Sequence, residues 1–257
     1  MAEKHLFALF TPYLFADVDA SSCGRPCVIT DTDLWHRLSY VLRMPVGQEF
    51  IAFNGTKQLQ LTLSRIHKKN AIECLINGVQ FTAPLQPTIH VYQGVLKRDA
   101  MDAVAYFAAQ MGATSLTPLI TTKSQRSWGA DKESERIKKV MVAACEQAKQ
   151  FAIPTIQKAF SINEACAQLP EKSLSLYCEP EGMPFYQALS TVVNVKPETI
   201  ALFIGPEGGF TQEEEKLLRD QAVQCYALTP TILRSQEAVA VSLGAIRSVI
   251  LSFDVAQ

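Results

Sequence analysis

From Thr88 onward the chain alternates between apolar runs of strand length and amphipathic runs of helix length, and this rhythm limits the fold more than any other feature. Thr88–Val95, Ser115–Ile120, Ser173–Cys178, Thr199–Ile204 and Gln224–Leu228 read as strands. Between them, Asp99–Met111 is predicted as a helix with Met101, Val104, Ala105, Ala108 and Met111 inward, stopped by Gly112. Further helices are expected over 132–151, Pro184–Leu189, Thr211–Ala222 and Gln236–Phe253. Such alternation gives an α/β domain: a mostly parallel sheet with helices on both faces.

The first 80 residues behave differently. His5–Phe10, Cys27–Thr30, Gln48–Phe53, Lys57–Ile66 and Ala71–Asn77 are short strands, the last ended by Gly78. Asn54-Gly55 is a hairpin signal, and Leu59, Leu61 and Leu63 alternate with polar residues after it. One helix interrupts them, capped by Asp31 or Thr32, with Leu34, Leu38, Val41 and Leu42 on one stripe. Short strands plus one helix suggest a small barrel. Pro84 and Pro87 break the pattern, so two domains are expected, 1–80 and 88–257.

With 24 Lys and Arg against 25 Asp and Glu, a histone-like polycation is excluded. The charge is uneven: 81–160 carries a net +4 and 161–257 a net −6, so an anionic partner would meet one side. Met1-Ala2-Glu3-Lys4-His5 lacks the basic-then-apolar pattern of an export signal, and no apolar run suits a membrane helix. Seven scattered cysteines fit free thiols in a reducing cytoplasm. Cys23 and Cys27 have no second pair or nearby His for zinc, so no metal is expected.

Leu202 through Thr211 carries the most chemistry. An apolar strand runs into Gly205-Pro206-Glu207-Gly208-Gly209, then a helix capped by Thr211 with Glu214 three residues on. Ligands of open α/β sheets sit at such carboxyl ends. The helix start holds Glu213, Glu214 and Glu215, a poor phosphate cradle, and the chain has neither of the usual Gly-rich phosphate motifs. A neutral nucleoside or a cationic ligand such as S-adenosylmethionine fits better, against the plainer reading of a capped tight turn. A second strand-to-helix loop, Leu228 through Ala238, can share the crevice. Its Arg234 either pairs with Glu207 or Glu237 or faces a charged substrate. In the basic middle, Lys123 and Arg126 lie near Trp128 and are candidate RNA contacts, with Lys97 and Arg98 before them.

Val41-Leu42-Arg43 after His36, Lys97-Arg98-Asp99, Glu146-Gln147 followed by Ile153-Pro154, Ile204 through Gly209, and Ile232-Leu233-Arg234 occur in that order. Together they resemble the ribosomal RNA small-subunit methyltransferase E family. The resemblance implies a PUA-like N-terminal barrel that binds RNA and a C-terminal SPOUT domain with a deep trefoil knot. It implies a cytoplasmic homodimer that methylates uridine N3 in 16S ribosomal RNA with S-adenosyl-L-methionine, which becomes S-adenosyl-L-homocysteine. The implied cofactor contacts are Cys178, Glu179 and Pro180; Phe203, Ile204, Gly205, Pro206, Glu207 and Gly208; and Leu228, Ile232 and Leu233. Arg43 joins the candidate RNA contacts. Departures from the family pattern are Thr229 in place of a Gly, Gln236-Glu237 in place of Glu-Thr, Gln150 in place of an Arg, and Lys4-His5 where an Arg is usual. Another SPOUT enzyme, acting for instance on a transfer-RNA ribose, and a non-catalytic RNA-binding assembly factor remain the alternatives. Uridine N3 must lose a proton to become nucleophilic, and no His follows His90, so a fixed cation is the expected helper. Arg234 is the catalytic candidate.

Overall fold

The computed structural model describes residues 6–13, 17–68 and 70–254. His5, which opened the first expected strand, lies outside them. The described chain forms two units: residues up to Ala83 together with Cys145–Ala152, and Pro84–Ala144 together with Ile153 onward. Cys145–Ala152, placed by the sequence rhythm in the second domain, thus belongs with the first unit.

The first unit contains β1 (Phe7–Phe10), β2 (Pro26–Ile29), α1 (Thr32–His36), β3 (Glu49–Phe53), β4 (Lys57–Ile66) and β5 (Ile72–Phe81). They make a five-stranded sheet in the order β1-β3-β4-β5-β2, with β1 parallel to β3 and the other pairs antiparallel. Asn54 Oδ1 accepts from Thr56 N and Lys57 N, which fixes the β3–β4 turn; Gly55 supplies the φ of 100°. Leu59, Leu61 and Leu63 are fully buried against Ile29, Leu34, Leu38, Phe50 and Ile72. β5 does not stop at Gly78: a register shift opposite Gln60 and Leu61 absorbs the irregularity and pairing continues to Phe81.

Asp31 caps α1 as expected, accepting from Asp33 N and Leu34 N. The helix then widens into a π-helical turn over Arg37–Val41, where Leu42 N donates to Arg37 O at 2.8 Å. Each widened turn holds an extra residue, so the stripe rotates. Leu38 stays buried, but Val41, expected in the core, is 64% exposed.

The second unit contains β6 (Thr88–Gly94), α2 (Arg98–Gln110), β7 (Ser115–Ile120), α3 (Ala130–Ala148, whose last turn belongs to the first unit), β8 (Thr155–Ile156), β9 (Phe160–Ser161), α4 (Ile162–Cys166), β10 (Ser173–Pro184), α5 (Tyr186–Val195), β11 (Thr199–Ile204), α6 (Gln212–Asp220), β12 (Gln224–Ala227) and α7 (Ser235–Asp254). Its sheet runs β12-β10-β11-β6-β7-β8, with β9 also on β7, and every pairing is parallel. This is the α/β architecture read from the rhythm. β8, β9 and α4 were not legible as elements, being two to five residues long. β10 runs past Cys178 because it resumes pairing with β12 at Met183 after an irregularity. One apolar cluster joins Tyr92, Leu119, Tyr177, Phe203, Phe210 and Leu218, with Tyr92 and Phe203 stacked at 4.4 Å. No helix among the described residues is long and apolar enough to cross a membrane.

Candidate functional site

Parallel pairing brings the carboxyl ends of β6, β10 and β11 side by side. Each then feeds a loop, and the loops enclose a cavity of about 840 Å³ in the second unit. Its lining includes Lys97 and Asp99 after β6; Cys178, Glu179 and Pro180 from β10; Ile204 through Gly209 after β11; and Ile232 through Gln236 before and in α7. A smaller cavity shares Cys178, Glu179 and Pro180 and adds Leu228 and Thr229.

Of the twelve cofactor contacts implied by sequence, ten line the larger cavity and Leu228 lines the smaller one. Phe203 is different: its ring is fully buried against Tyr92, so the side chain supports the sheet and is not a lining group. Asp99, Ala100, Ala103, Gly209, Ser235, Gln236 and Ala238 also line the larger cavity and were not singled out as binding residues. Asp99 and Gly209 belong to recognised motifs, and the others lie on the first turns of the helix after one.

The Gly-rich loop is held from several directions. Lys123 Nζ donates to Gly208 O and Phe210 O, both at 2.9 Å. Glu214 caps α6 by accepting from Thr211 N, and its other oxygen accepts from Thr122 N at 2.7 Å. Thr211 Oγ1 accepts in return from Glu214 N, which completes the capping box. The first turn of α6 is thus filled by the protein's own carboxylate.

Beneath the cavity, Gln93 at the end of β6 is fully buried. Its Nε2 donates to Gly94 O at 2.9 Å, Gly205 O at 3.2 Å and Ser235 Oγ at 2.8 Å. Ser235 Oγ donates onward to Gly205 O at 2.6 Å. One amide and one hydroxyl therefore join the end of β6, the Gly-rich loop and the start of α7. Beside them, a Cβ on Gly94 would lie 2.5 Å from Pro206 N, so only glycine lets the two backbones approach this closely.

The titratable lining differs in character. Burial pushes the Glu179 carboxyl above its ordinary range, opposed by the Phe210 N–H that reaches it at 3.3 Å. Burial also raises the Cys178 thiol, which stays protonated and is no nucleophile. Arg234 is exposed on the cavity wall, with no ion pair and no side-chain hydrogen bond among the described residues. The pairings considered from sequence, with Glu207 or Glu237, are not formed. Glu237 instead receives Gln236 Nε2 at 3.3 Å.

The basic residues divide. Lys97, Arg98 and Arg43 are exposed. Lys123 is bound to the Gly-rich loop as above. Arg126 forms a bidentate pair with Glu133, donates from Nε to Leu96 O at 2.6 Å, and lies 5.8 Å from the Trp128 ring centre. These internal partners occupy both cations that sequence reasoning offered to a phosphate. No group of three or more potential metal ligands occurs among the described residues.

A family model described as an RNA methyltransferase domain matches residues 83–247, well over half of the chain. The chain belongs to this RNA methyltransferase family. It is also similar to curated proteins called ribosomal RNA small subunit methyltransferase E, as its motifs indicated. The one from Rickettsia conorii is 27% identical over 214 residues, covering 82% of this chain and 85% of the relative. The one from Bacillus subtilis is 27% identical over 225 residues, covering 82% and 86%. Among solved structures, the Neisseria gonorrhoeae ribosomal RNA small subunit methyltransferase E bound to S-adenosyl methionine superposes with a TM-score of 0.81 at 22% identity, covering 95% of this chain and 98% of that one. The Legionella pneumophila protein Lpg2936, in complex with bound SAM, gives 0.80 at 24% identity with the same coverage. The RNA methyltransferase domain of this chain thus shares its fold with those structures, across an α/β unit whose loops enclose the cavity.

Proposed function

We propose that this chain methylates N3 of a uridine in 16S ribosomal RNA, using S-adenosyl-L-methionine held in the larger cavity. Its volume lies within the range of about 300–1,000 Å³ common for small-molecule sites. The chemistry of the lining fits this cofactor. Asp99, Glu179 and Glu207 suit a cation, and the helix N-terminus is closed to phosphate by Glu214. Cys178, Glu179, Pro180, Ile204 through Gly208, Ile232 and Leu233 would hold it, with Leu228 at the adjoining recess. When bound, its sulfonium supplies an electrophilic methyl group.

The observation that carries the reading is the guanidinium of Arg234 on the wall of this cavity, without an ion pair among the described residues. A cation without a protein partner can stabilise negative charge on a uracil carbonyl oxygen while N3 loses its proton. Water or a carboxylate takes that proton. Replacement by Lys keeps the charge and loses the planar fork. Arg234→Ala should slow the chemical step on the order of 10²–10³-fold and leave cofactor affinity intact. Single-turnover kinetics with calorimetry tests this; a near-normal chemical step refutes the role. Mass-spectrometric mapping of modified uridine in ribosomal RNA from cells lacking the gene tests the substrate.

The same reading takes the first unit as a PUA-like RNA-binding barrel and the second as a SPOUT domain with a trefoil knot. It assigns Arg43, Lys97 and Arg98 to the RNA, and places the enzyme in the cytoplasm. It also makes the enzyme a homodimer with a shared active site. Tyr186 and Val195 on α5 and Val241 and Leu251 on α7 are exposed apolar groups that a second copy would cover. Sedimentation of the full chain tests the dimer.

A further inference from the structure

The π-helical turn after α1 brings Tyr40 and Val41 outward, side by side at the surface of the first unit. Tyr40 is 61% exposed. Its ring is nonetheless held in place: the His36 ring stacks on it at 5.5 Å and 29°, and the Trp35 ring meets it edge-on at 5.5 Å. With two ring partners and 61% exposure, most of the phenol remains accessible. Trp35 is itself fixed, because its Nε1 donates to His67 O at 2.7 Å. The turn is braced from behind, where Arg37 makes a bidentate pair with Glu146.

The surroundings hold exposed cations. The bond from Trp35 ties the aromatic group to the link between β4 and β5, with exposed Arg65 near the end of β4 and exposed Lys68 in the link. Arg43 follows the π turn, exposed, with a φ of 46° that holds the chain in the left-handed region. The acidic side chains nearby are Asp31, engaged in capping α1, Asp33 at its start, Glu146, taken up by Arg37, and Glu73, which faces His67 at 3.4 Å. An exposed ring held by two aromatic neighbours, beside cations that have no ion pair among the described residues, has the chemistry of a single-stranded nucleic-acid platform.

We propose that Tyr40 is a stacking platform for an unpaired base of the RNA, with Arg43 and the Arg65–Lys68 segment engaging the neighbouring phosphates. This rests on the RNA-modifying reading above and gives the first unit a preference for single strands over duplex.

The test uses the full chain, a short fluorescein-labelled single-stranded RNA, and the same strand annealed to its complement, read by fluorescence anisotropy. Tyr40→Ala should weaken single-strand binding by about 5- to 150-fold, the loss of one base–aromatic stack. Tyr40→Phe should bind like the unaltered chain. Duplex binding should change little in either variant. Arg43→Ala should lower the salt slope by roughly one, whereas Tyr40→Ala should leave it unchanged. Because Tyr40 is exposed, both Tyr40 variants should melt at the unaltered temperature. Wild-type affinity in Tyr40→Ala, equal losses in Tyr40→Ala and Tyr40→Phe, or equal losses on single strand and duplex would each overturn the proposal. A change of sedimentation in Tyr40→Ala would also overturn it, by assigning the ring to a contact between copies. Failure of methyl transfer by the unaltered chain, with the Tyr40 pattern intact, would remove the proposed activity and leave the platform standing.

Discussion

Gly94→Ala adds one methyl group where two backbones already touch. The new Cβ would lie 2.5 Å from Pro206 N, 2.6 Å from Pro206 Cδ and 3.0 Å from the Gly205 carbonyl carbon. Ordinary contact begins near 3.4 Å, so the end of β6 and the Gly-rich loop must separate by about 0.9 Å. Neither side has a flexible side chain to swing away. Gly94 ends a central strand of the sheet, paired with Leu119, and Gly205 is fastened to Gln93 and Ser235. Overpacking usually costs about 1–3 kcal/mol, and a clash of backbone on backbone belongs at the upper end. Urea unfolding followed by circular dichroism should show a loss of about 3 kcal/mol. In whatever fraction folds, Pro206 is displaced in the cavity wall. A misplacement near 1 Å lowers turnover on the order of 10²-fold. A Gly94→Ala protein with wild-type stability and turnover would refute the argument that this approach is obligatory.

Gly244 provides the opposite case. It lies within α7, and an added Cβ would meet only Met111 Sδ at 3.9 Å, so Gly244→Ala should raise stability by about 0.5–1 kcal/mol in the same urea assay. Burial holds the His90 imidazole below its ordinary 6.5. The unfolded chain therefore takes up the proton first, and stability present above 6.5 is lost as pH falls through the folded value. His90→Gln should flatten the dependence of the urea midpoint between about pH 8 and pH 5.5, and an unchanged dependence would clear His90 of this role. Arg126→Ala removes the Glu133 pair and the bond to Leu96 O, and should cost about 1–3 kcal/mol while leaving the salt slope of RNA binding unchanged. A lower slope would return Arg126 to the RNA surface.

Regular periodicity made the long elements legible. β4, β7 and β11 have the expected limits because each is an uninterrupted alternating or apolar run bounded by turn residues. The cavity was legible for a related reason: two strand-to-helix loops with recognisable caps must open on the same side of a parallel sheet. What escaped depended on partners distant in sequence. Val41 has the spacing of a core residue, and only the π-helical turn takes it out. Arg126 and Lys123 look free in the sequence, because Leu96 O, Glu133 and the carbonyls of Gly208 and Phe210 have no signature beside them. Gln93 is an ordinary polar residue at the end of an apolar run, and its role as a junction depends on residues more than 100 positions away.

That junction also bears on the order in which the molecule is made. Gln93 meets Gly205 across 112 residues and Ser235 across 142. A chain emerging from the ribosome presents its β6 end long before either partner exists, and contacts of such separation form slowly. The floor of the cavity closes only when the start of α7 arrives, and Arg234 arrives with it. A chain interrupted anywhere before that point would lack both the pocket and its cation. Cofactor affinity in this fold is therefore a readout of complete synthesis: a prematurely terminated product could not compete with the finished chain for the cofactor.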